Sequence, residues 1–290
     1  MKKYIIAIIC VCLAIVLIIA GVNKKEEQTN NEKIVTSFYP MYIIALNLTQ
    51  GAQNIQLENM ADNSVGCIHN YTLQTSDLKK IENAKIFIKN GFDLENFMDK
   101  IINTYPNLKI IDTQNAPLNI VEDEEGKNGH VWNNLENYKM QVQYISEKLQ
   151  EQDKENAEIY KRNEQKYLEK LDALKPYKSL NKEYVISCNE ALAYILDEAG
   201  FKTIDVYTDH DESSLSSGKI AEVVDLARKN NIKAIFVEKN DDLKNANIIA
   251  NETGAKIVVL DANLTGTGTI DSYIKAMQDN YNKIRQIYGE

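Results

Sequence analysis

Residues 75–89 read TSDLKKIENAKIFIK, and they decide the fold because they set a capped helix directly before an apolar strand. Thr75, Ser76 and Asp77 are typical of a helix start, since their side-chain oxygens accept hydrogen bonds from amide groups of the first turn. Residues 85–89 (KIFIK) are a short apolar-rich run that is typical of a strand. Strands that alternate with helices indicate βα units, in which the strands run parallel.

The same alternation extends outward from this stretch in both directions. In the first half of the chain the predicted strands are 33–39, 54–60, 85–89 and 109–112, and the predicted helices are 41–48, 75–84 and 94–104. A second series contains the predicted strands 184–187, 204–207, 234–238 and 256–261, and the predicted helices 190–198, 217–229, 245–253 and 270–288. We therefore predict an α/β fold with two lobes of parallel βα units, at 33–130 and 177–290.

The stretch between the lobes predicts a helix. Residues 131–175 contain no glycine and no proline, and apolar residues recur at a spacing of three or four, for example at Tyr138, Val142 and Ile145. We expect one continuous linking helix at 131–176, about 40 residues and roughly 60 Å long. Its polar middle is expected to lie in solvent, and the cleft between the lobes is expected to hold a ligand.

The N-terminus predicts export. Two lysines precede an uncharged apolar run that ends at Val22, so residues 1–22 form a signal peptide or a retained membrane anchor. Val22 stands where a lipoprotein would carry its acylated cysteine, and residues 23–32 are a polar tether. We expect an extracytoplasmic protein that is tethered to the outer face of a bacterial membrane, and whether residues 1–22 are cleaved stays open.

The composition narrows the partners. The net charge of −9 disfavours nucleic acid, and the apolar fraction of 44% is sufficient for ordinary cores. We expect a monomer. Cys67 and Cys188 follow the tether and could form a disulfide in an exported protein, although sequence alone does not fix their separation.

The three histidines of the chain, His69, His130 and His210, each follow a predicted strand. Ligands of open α/β sheets bind beyond the carboxyl ends of the strands. Neutral imidazole is the commonest metal ligand in proteins. Since His69 and His210 each precede a hydroxyl-initiated helix by the same spacing, we predict that they lie in related loops of the two lobes and share one metal site.

Several motifs together carry a family resemblance. The first histidine is preceded by a glycine and followed by a tyrosine and an aspartate. A His-x-Trp motif precedes the linking segment, an Asn-Glu-Ala-x-x-Tyr motif lies in the second lobe, and a carboxylate ends each of two predicted strands. Together these features resemble those of the zinc- and manganese-binding solute-binding proteins of ABC importers. The resemblance implies metal capture for an importer permease, with no catalysis and with a rigid linking helix. The positions concerned are Gly66, His69, Tyr71, Asp77, His130, Trp132, Asn189, Glu190, Tyr194, Glu238 and Asp261.

Asn189 departs from the family pattern, which implies histidine or glutamate as a ligand there. We expect His210 to replace the lost imidazole, with Cys188 and the Asn189 amide oxygen as the alternatives. The predicted metal ligands are His69, His130, His210 and Asp261, with Asn189 beside the ion. Imidazoles with one carboxylate suit Zn²⁺, and Mn²⁺ or iron is the alternative.

A different class of function is a secreted zinc metallohydrolase. It would need an open metal position and a general base, for example Glu190 or Glu238. The chain contains no HExxH motif. A surface adhesin is a third possibility, and no feature of the sequence favours it.

Overall fold

The computed structural model describes residues 31–66, 69, 71–123, 126–206 and 215–289. The predicted signal or anchor and nearly all of the tether lie outside these ranges, as do Cys67 and His210. Within the described ranges, no helix combines the length and the apolar character that crossing a membrane requires.

The first lobe is a four-stranded sheet in the order β2-β1-β3-β4, and all of its strands run parallel. Its elements are β1 (Glu32–Thr36), α1 (Tyr39–Leu48), β2 (Ile55–Asn59), α2 (Thr75–Ile81), β3 (Ala84–Lys89), α3 (Asp99–Ile102) and β4 (Lys109–Asp112). In the central strand Ile34 lies opposite Leu57 on one side and Ile86 on the other. Ile34 is fully buried, as expected for a parallel sheet that is covered on both faces.

The predicted helix 94–104 is mostly irregular. A 3₁₀ turn at Asn96–Met98 leads into the single turn of α3. The chain before this 3₁₀ turn bends around Glu95. The buried carboxylate of Glu95 accepts hydrogen bonds from Ser37 Oγ (2.8 Å) and from the main-chain amides of Asn90 (2.8 Å) and Gly91 (2.9 Å). Burial raises the pKa of Glu95 to about 7.

The connection between the lobes contains a short antiparallel ribbon and two helices. The elements are β5 (Glu122–Asp123), β6 (Gly126–Lys127), α4 (Leu135–Gln152) and α5 (Ala157–Asp172). The prediction of one continuous linking helix at 131–176 is wrong. The chain reverses direction between α4 and α5. Two contacts show that the helices lie side by side: Tyr138 Oη is 3.0 Å from Tyr167 Oη, and Lys139 Nζ is 2.7 Å from Asp172 Oδ1. The two helices therefore form an antiparallel hairpin.

The turn of this hairpin is the polar stretch that was expected to lie in solvent. Asp153 and Asn156 are buried there. Asp153 Oδ2 accepts hydrogen bonds from Tyr160 Oη (2.6 Å) and Asn156 Nδ2 (2.7 Å). Asn156 also accepts a hydrogen bond from Gln53 N (2.7 Å) and donates one to Gln53 O (3.0 Å). The polar side chains of the turn thus form their hydrogen bonds with one another and with the main chain of the first lobe, so they do not need water as a partner.

The second lobe repeats the topology of the first. Its elements are β7 (Tyr184–Ser187), α6 (Ala193–Glu198), β8 (Lys202–Asp205), α7 (Ser217–Lys229), β9 (Ala234–Glu238), α8 (Lys244–Thr253), β10 (Lys256–Leu260) and α9 (Ser272–Tyr288). The parallel sheet has the order β8-β7-β9-β10, so both sheets place the second strand of the lobe at an edge, beside the first. The predicted α/β fold with two parallel sheets is confirmed.

One hydrophobic core cluster runs through both lobes and the hairpin. Tyr138 of α4 stacks on Tyr273 of α9, with ring centroids 3.5 Å apart and an interplanar angle of 5°. The carboxylate of Glu198, at the end of α6, accepts hydrogen bonds from Leu135 N (3.2 Å) and Tyr281 Oη (2.7 Å). The lobes are therefore packed into one body, and the hairpin is part of that body.

Candidate metal centre

Three side chains that can bind a metal converge between the lobes. His69 follows β2, His130 follows β6, and Glu190 follows β7. One ligand atom from each lies within 4.8 Å of the other two. His69 Nε2 is 3.4 Å from Glu190 Oε1, and the His69 and His130 ring centroids are 5.3 Å apart. Zinc bonds of 2.0–2.1 Å in a tetrahedron place neighbouring ligand atoms about 3.3 Å apart, so this spacing suits a shared ion.

The orientation of His130 is set by Asn128. Asn128 Oδ1 lies 3.0 Å from His130 Nδ1 and accepts a hydrogen bond from His130 N at 3.0 Å. An amide oxygen only accepts, so the Nδ1 atom carries the proton in this arrangement. The lone pair of the neutral ring is then on Nε2, the nitrogen available to a metal. His130 is 1% exposed, so the ring has little freedom to turn.

Asn128 also connects the two lobes at this point. Its Nδ2 donates to Glu190 O (3.0 Å), and its own carbonyl accepts from Tyr194 Oη (2.8 Å). One buried residue therefore orients His130 and fixes the loop that carries Glu190. Asn128 is not among the residues that the sequence motifs predict. Its position two residues before a predicted ligand was the available signal.

Trp132 lies beside His130 and is fully buried. Its indole Nε1 donates to Ala262 O at 2.9 Å, and the ring of Phe38 meets it edge-on with centroids 5.1 Å apart. Tyr273 Oη donates to the main-chain carbonyl of Trp132 (2.8 Å). Trp132 thus joins the His130 loop to the loop after β10.

The loop that carries His69 is closed by a helix cap. Asp77 Oδ2 accepts hydrogen bonds from Tyr71 Oη (2.7 Å) and Gln74 N (2.8 Å). Asp77 is therefore the third residue of α2 and caps its first turn, in agreement with the helix start predicted from residues 75–89. Tyr71 packs against the first-lobe core, with its ring 5.4 Å from that of Phe97.

Asn189 is directed toward the second lobe. Its Nδ2 donates to Asp241 Oδ2 (2.8 Å), and its Oδ1 accepts from Ala191 N (2.8 Å) as the cap of the 3₁₀ turn Glu190–Leu192. Both amide atoms are engaged there, and the next residue, Glu190, reaches the histidines. The predicted place of Asn189 beside the ion stays a prediction.

Cys188 packs against the second-lobe core cluster around Ile186 and Val237. Burial raises the pKa of this thiol to about 12. A protonated thiol is a poor metal ligand, because the thiolate is the binding form. The alternative disulfide involves Cys67, which lies outside the described residues.

Asp261 directly follows β10, and its carboxylate is not among the ligand atoms that lie within 4.8 Å of one another. Its Oδ2 is 2.8 Å from Lys239 Nζ, and its Oδ1 accepts from Asn263 N (2.8 Å). The neighbouring carboxylate of Glu238 is buried and accepts from Asn240 N (2.6 Å) and Ala262 N (3.4 Å). Burial raises the pKa of Glu238. Glu238 thus fixes the loops after β9 and β10.

Of the five predicted metal ligands, His69 and His130 are brought together in this structure. Asn189 and Asp261 are bonded to other partners. His210 lies outside the described residues, so its role stays a prediction. From the sequence, Glu190 is a candidate only as the general base of a metallohydrolase, because the family pattern places the ligand at the residue before it.

Comparison with known proteins agrees with the family resemblance of the sequence motifs. The sequence model of the family described as "zinc-uptake complex component A periplasmic" matches residues 34–287. The manganese-binding lipoprotein MntA of Halalkalibacterium halodurans is 26% identical over 93% of this chain and 94% of the relative. The iron-binding protein YfeA of Yersinia pestis is 24% identical over 92% of this chain and 90% of the relative. The structure of SBP FpvC from Pseudomonas aeruginosa in complex with Mn²⁺ superposes with a TM-score of 0.78 at 21% identity, covering 89% of this chain and 98% of that one, and so shares the fold.

Proposed function

Because the chain belongs to the family of periplasmic A components of zinc-uptake complexes, we propose that it captures a divalent transition metal outside the cytoplasm and delivers it to an ABC importer. The observation that supports this most directly is the convergence of His69, His130 and Glu190 between the lobes. The family consists of transport receptors, so the chain is a binding protein and not a metallohydrolase.

The core ligand set in this proposal is His69, His130 and Glu190. Two neutral imidazoles and one carboxylate give a zinc ion three ligands, and a structural tetrahedral site needs a fourth. Asp261 and His210 are the candidates for that fourth position. A site completed by a protein ligand holds its ion without leaving a position for a substrate.

Zinc is the proposed cargo. Imidazole suits first-row transition metals, and four-coordinate nitrogen–oxygen sites suit zinc. Manganese and iron are the second candidates, because relatives of similar length carry those ions in their names. Intrinsic affinity follows a fixed order among these ions, so the supply of metal decides the cargo in the cell.

The uncharged segment at the N-terminus, which lies outside the described residues, is the proposed attachment to the outer face of the membrane. Since Val22 stands in place of an acylated cysteine, we expect no diacylglycerol on this chain. Mass spectrometry of the membrane-extracted protein tests this, and a lipid on an N-terminal cysteine would refute it.

The decisive experiment is metal analysis of protein purified without added metal, followed by competition titration with zinc, manganese and iron. His69→Ala and His130→Ala should each weaken zinc binding at least about tenfold, which is about 1.4 kcal/mol. If both variants bind zinc like the wild type, the proposed centre is wrong.

A further inference from the structure

Lys239 places a positive charge on a carboxylate that the family resemblance assigns to the metal. Its Nζ is 2.8 Å from Asp261 Oδ2 and donates to Thr265 O, also at 2.8 Å. The side chains of Lys239 and Asp261 are 28% and 23% exposed, so the pair is partly shielded from water. The ammonium is therefore held between two acceptors in the loops after β9 and β10.

This contact opposes metal ligation through the same oxygen, because the ammonium and a divalent cation would both be drawn to it. Asp261 Oδ1 already accepts a hydrogen bond from Asn263 N (2.8 Å), which leaves Oδ2 as the oxygen that could turn toward an ion. A divalent cation and an ammonium repel each other, and the repulsion is strong at the short distances within one site. Binding of a metal through Oδ2 is therefore favoured when Lys239 leaves that oxygen.

We propose that Lys239 is an internal competitor of the metal, and this inference rests on the proposed function. In the empty protein the lysine is paired with Asp261, one of the two candidates for the fourth ligand. Loading exchanges the ammonium on Asp261 for the metal, and Lys239 keeps its bond to Thr265 O. At release the lysine takes the carboxylate back. The residue therefore lowers the affinity of the site and speeds the loss of the ion.

The test compares Lys239→Met with Lys170→Met in the full chain. Methionine keeps a long apolar stem and removes the charge. Lys170 forms a comparable ion pair with Asp271 (2.9 Å) on the surface, so its variant gives the same change in net charge. Zinc affinity is measured by competition with a chelator, and the release rate is measured by stopped-flow transfer of zinc to that chelator.

Lys239→Met should bind zinc at least about tenfold more tightly and release it more slowly, a change of about 1.4 kcal/mol. Lys239→Arg, which keeps the charge, should behave like the wild type, and so should Lys170→Met. In an Asp261→Asn background the effect of Lys239→Met should disappear. Unchanged or weaker binding by Lys239→Met, or equal tightening in the Asp261→Asn background, overturns the inference.

A failure of the proposed function has a different signature. In that case wild-type protein shows no tight zinc binding, and His69→Ala and His130→Ala change nothing. Thermal unfolding of each metal-free variant is measured in parallel. Lys239→Met should unfold cooperatively, as the wild type does, so a change in affinity reports on the site and not on loss of the fold.

Discussion

At the residue scale, Glu190 distinguishes the observed group of side chains from the predicted ligand set, which did not include it. Its carboxylate is the acidic member of that group. It starts a 3₁₀ turn that Asn189 caps, so the two neighbours point to different partners. Glu190→Gln should weaken zinc binding at least about tenfold, because an amide oxygen is a poorer ligand than a carboxylate. Isothermal titration against a competing chelator measures the zinc affinity of the variant and of the wild type.

The matched control for that variant is Asn189→Ser, which retains a capping oxygen at the start of the same turn. It should change zinc affinity much less than Glu190→Gln. The reverse order, with Asn189→Ser the weaker binder, would mean that the amide of Asn189 and not Glu190 completes the centre.

Asn128 determines which nitrogen of His130 is available to a metal. Asn128→Ala should weaken zinc binding by about 10–100-fold, since groups that orient a metal-bound imidazole have effects of that size. NMR of the imidazole nitrogens provides a second readout, because loss of the Asn128 acceptor should mix the two tautomers of His130. Asn251→Ala, at an exposed position of α8, is the control. An unchanged tautomer in Asn128→Ala would contradict this assignment.

Glu95 should make the stability of the metal-free protein depend on pH. Its pKa is raised from 4.5 to about 7 in the folded state, mainly by burial. The folded protein therefore binds this proton more tightly than the unfolded chain does, and the contribution is complete below pH 4.5 and is lost as the pH rises through about 7. Between about pH 5 and about pH 8 the wild type should lose on the order of 2–3 kcal/mol of unfolding free energy relative to Glu95→Gln. Urea unfolding at several pH values measures the unfolding free energy of both proteins. If the two plots of unfolding free energy against pH are parallel, Glu95 is not the cause of the pH dependence.

At the scale of elements, the hairpin of α4 and α5 depends on its buried turn. Asn156 bonds to the side chain of Asp153 and to both main-chain polar atoms of Gln53. Asn156→Ala should lower the unfolding free energy by about 2–3 kcal/mol, because it leaves buried polar groups without partners. Lys154→Ala, at an exposed position of the same turn, should be nearly neutral. Denaturant unfolding compares them, and equal stability of the two variants would show that the turn is dispensable.

The strands were the most predictable elements. The bounds 109–112, 184–187 and 234–238 agree with the observed strands, because a short apolar run bordered by polar residues is a local signal. The bend at Glu95 and the hairpin turn are not local in this sense. Their polar side chains are buried by partners far away in sequence, such as Ser37 and Gln53.

The candidate centre was predictable to a similar degree. Scarcity of histidine and its position after strands identified His69 and His130. The choice between Asn189 and Glu190 depends on the geometry of one 3₁₀ turn, which residue types alone do not fix. The pairing of Asp261 with Lys239 likewise depends on two loops that meet only in the folded protein.

At the scale of the whole molecule, residues of both lobes belong to one hydrophobic core cluster. Wide opening would separate Tyr138 from Tyr273 and expose that core. Small-angle X-ray scattering of empty and zinc-loaded protein should therefore give nearly the same radius of gyration. Zinc should nevertheless raise the unfolding temperature, by linkage, since it binds the folded state. A marked compaction on loading would indicate hinge closure instead.

Trp132, the single tryptophan of the chain, has consequences for detection. Its ring centroid is 5.2 Å from that of His130, and it is sealed from solvent. Light at the red edge of indole absorption excites this one chromophore selectively, despite the many tyrosines. An open-shell ion such as Fe²⁺ at the neighbouring imidazole should quench the emission, whereas closed-shell Zn²⁺ should only shift it. The protein thus carries its own fluorescent reporter of occupancy, and that reporter separates classes of ion by their electronic structure.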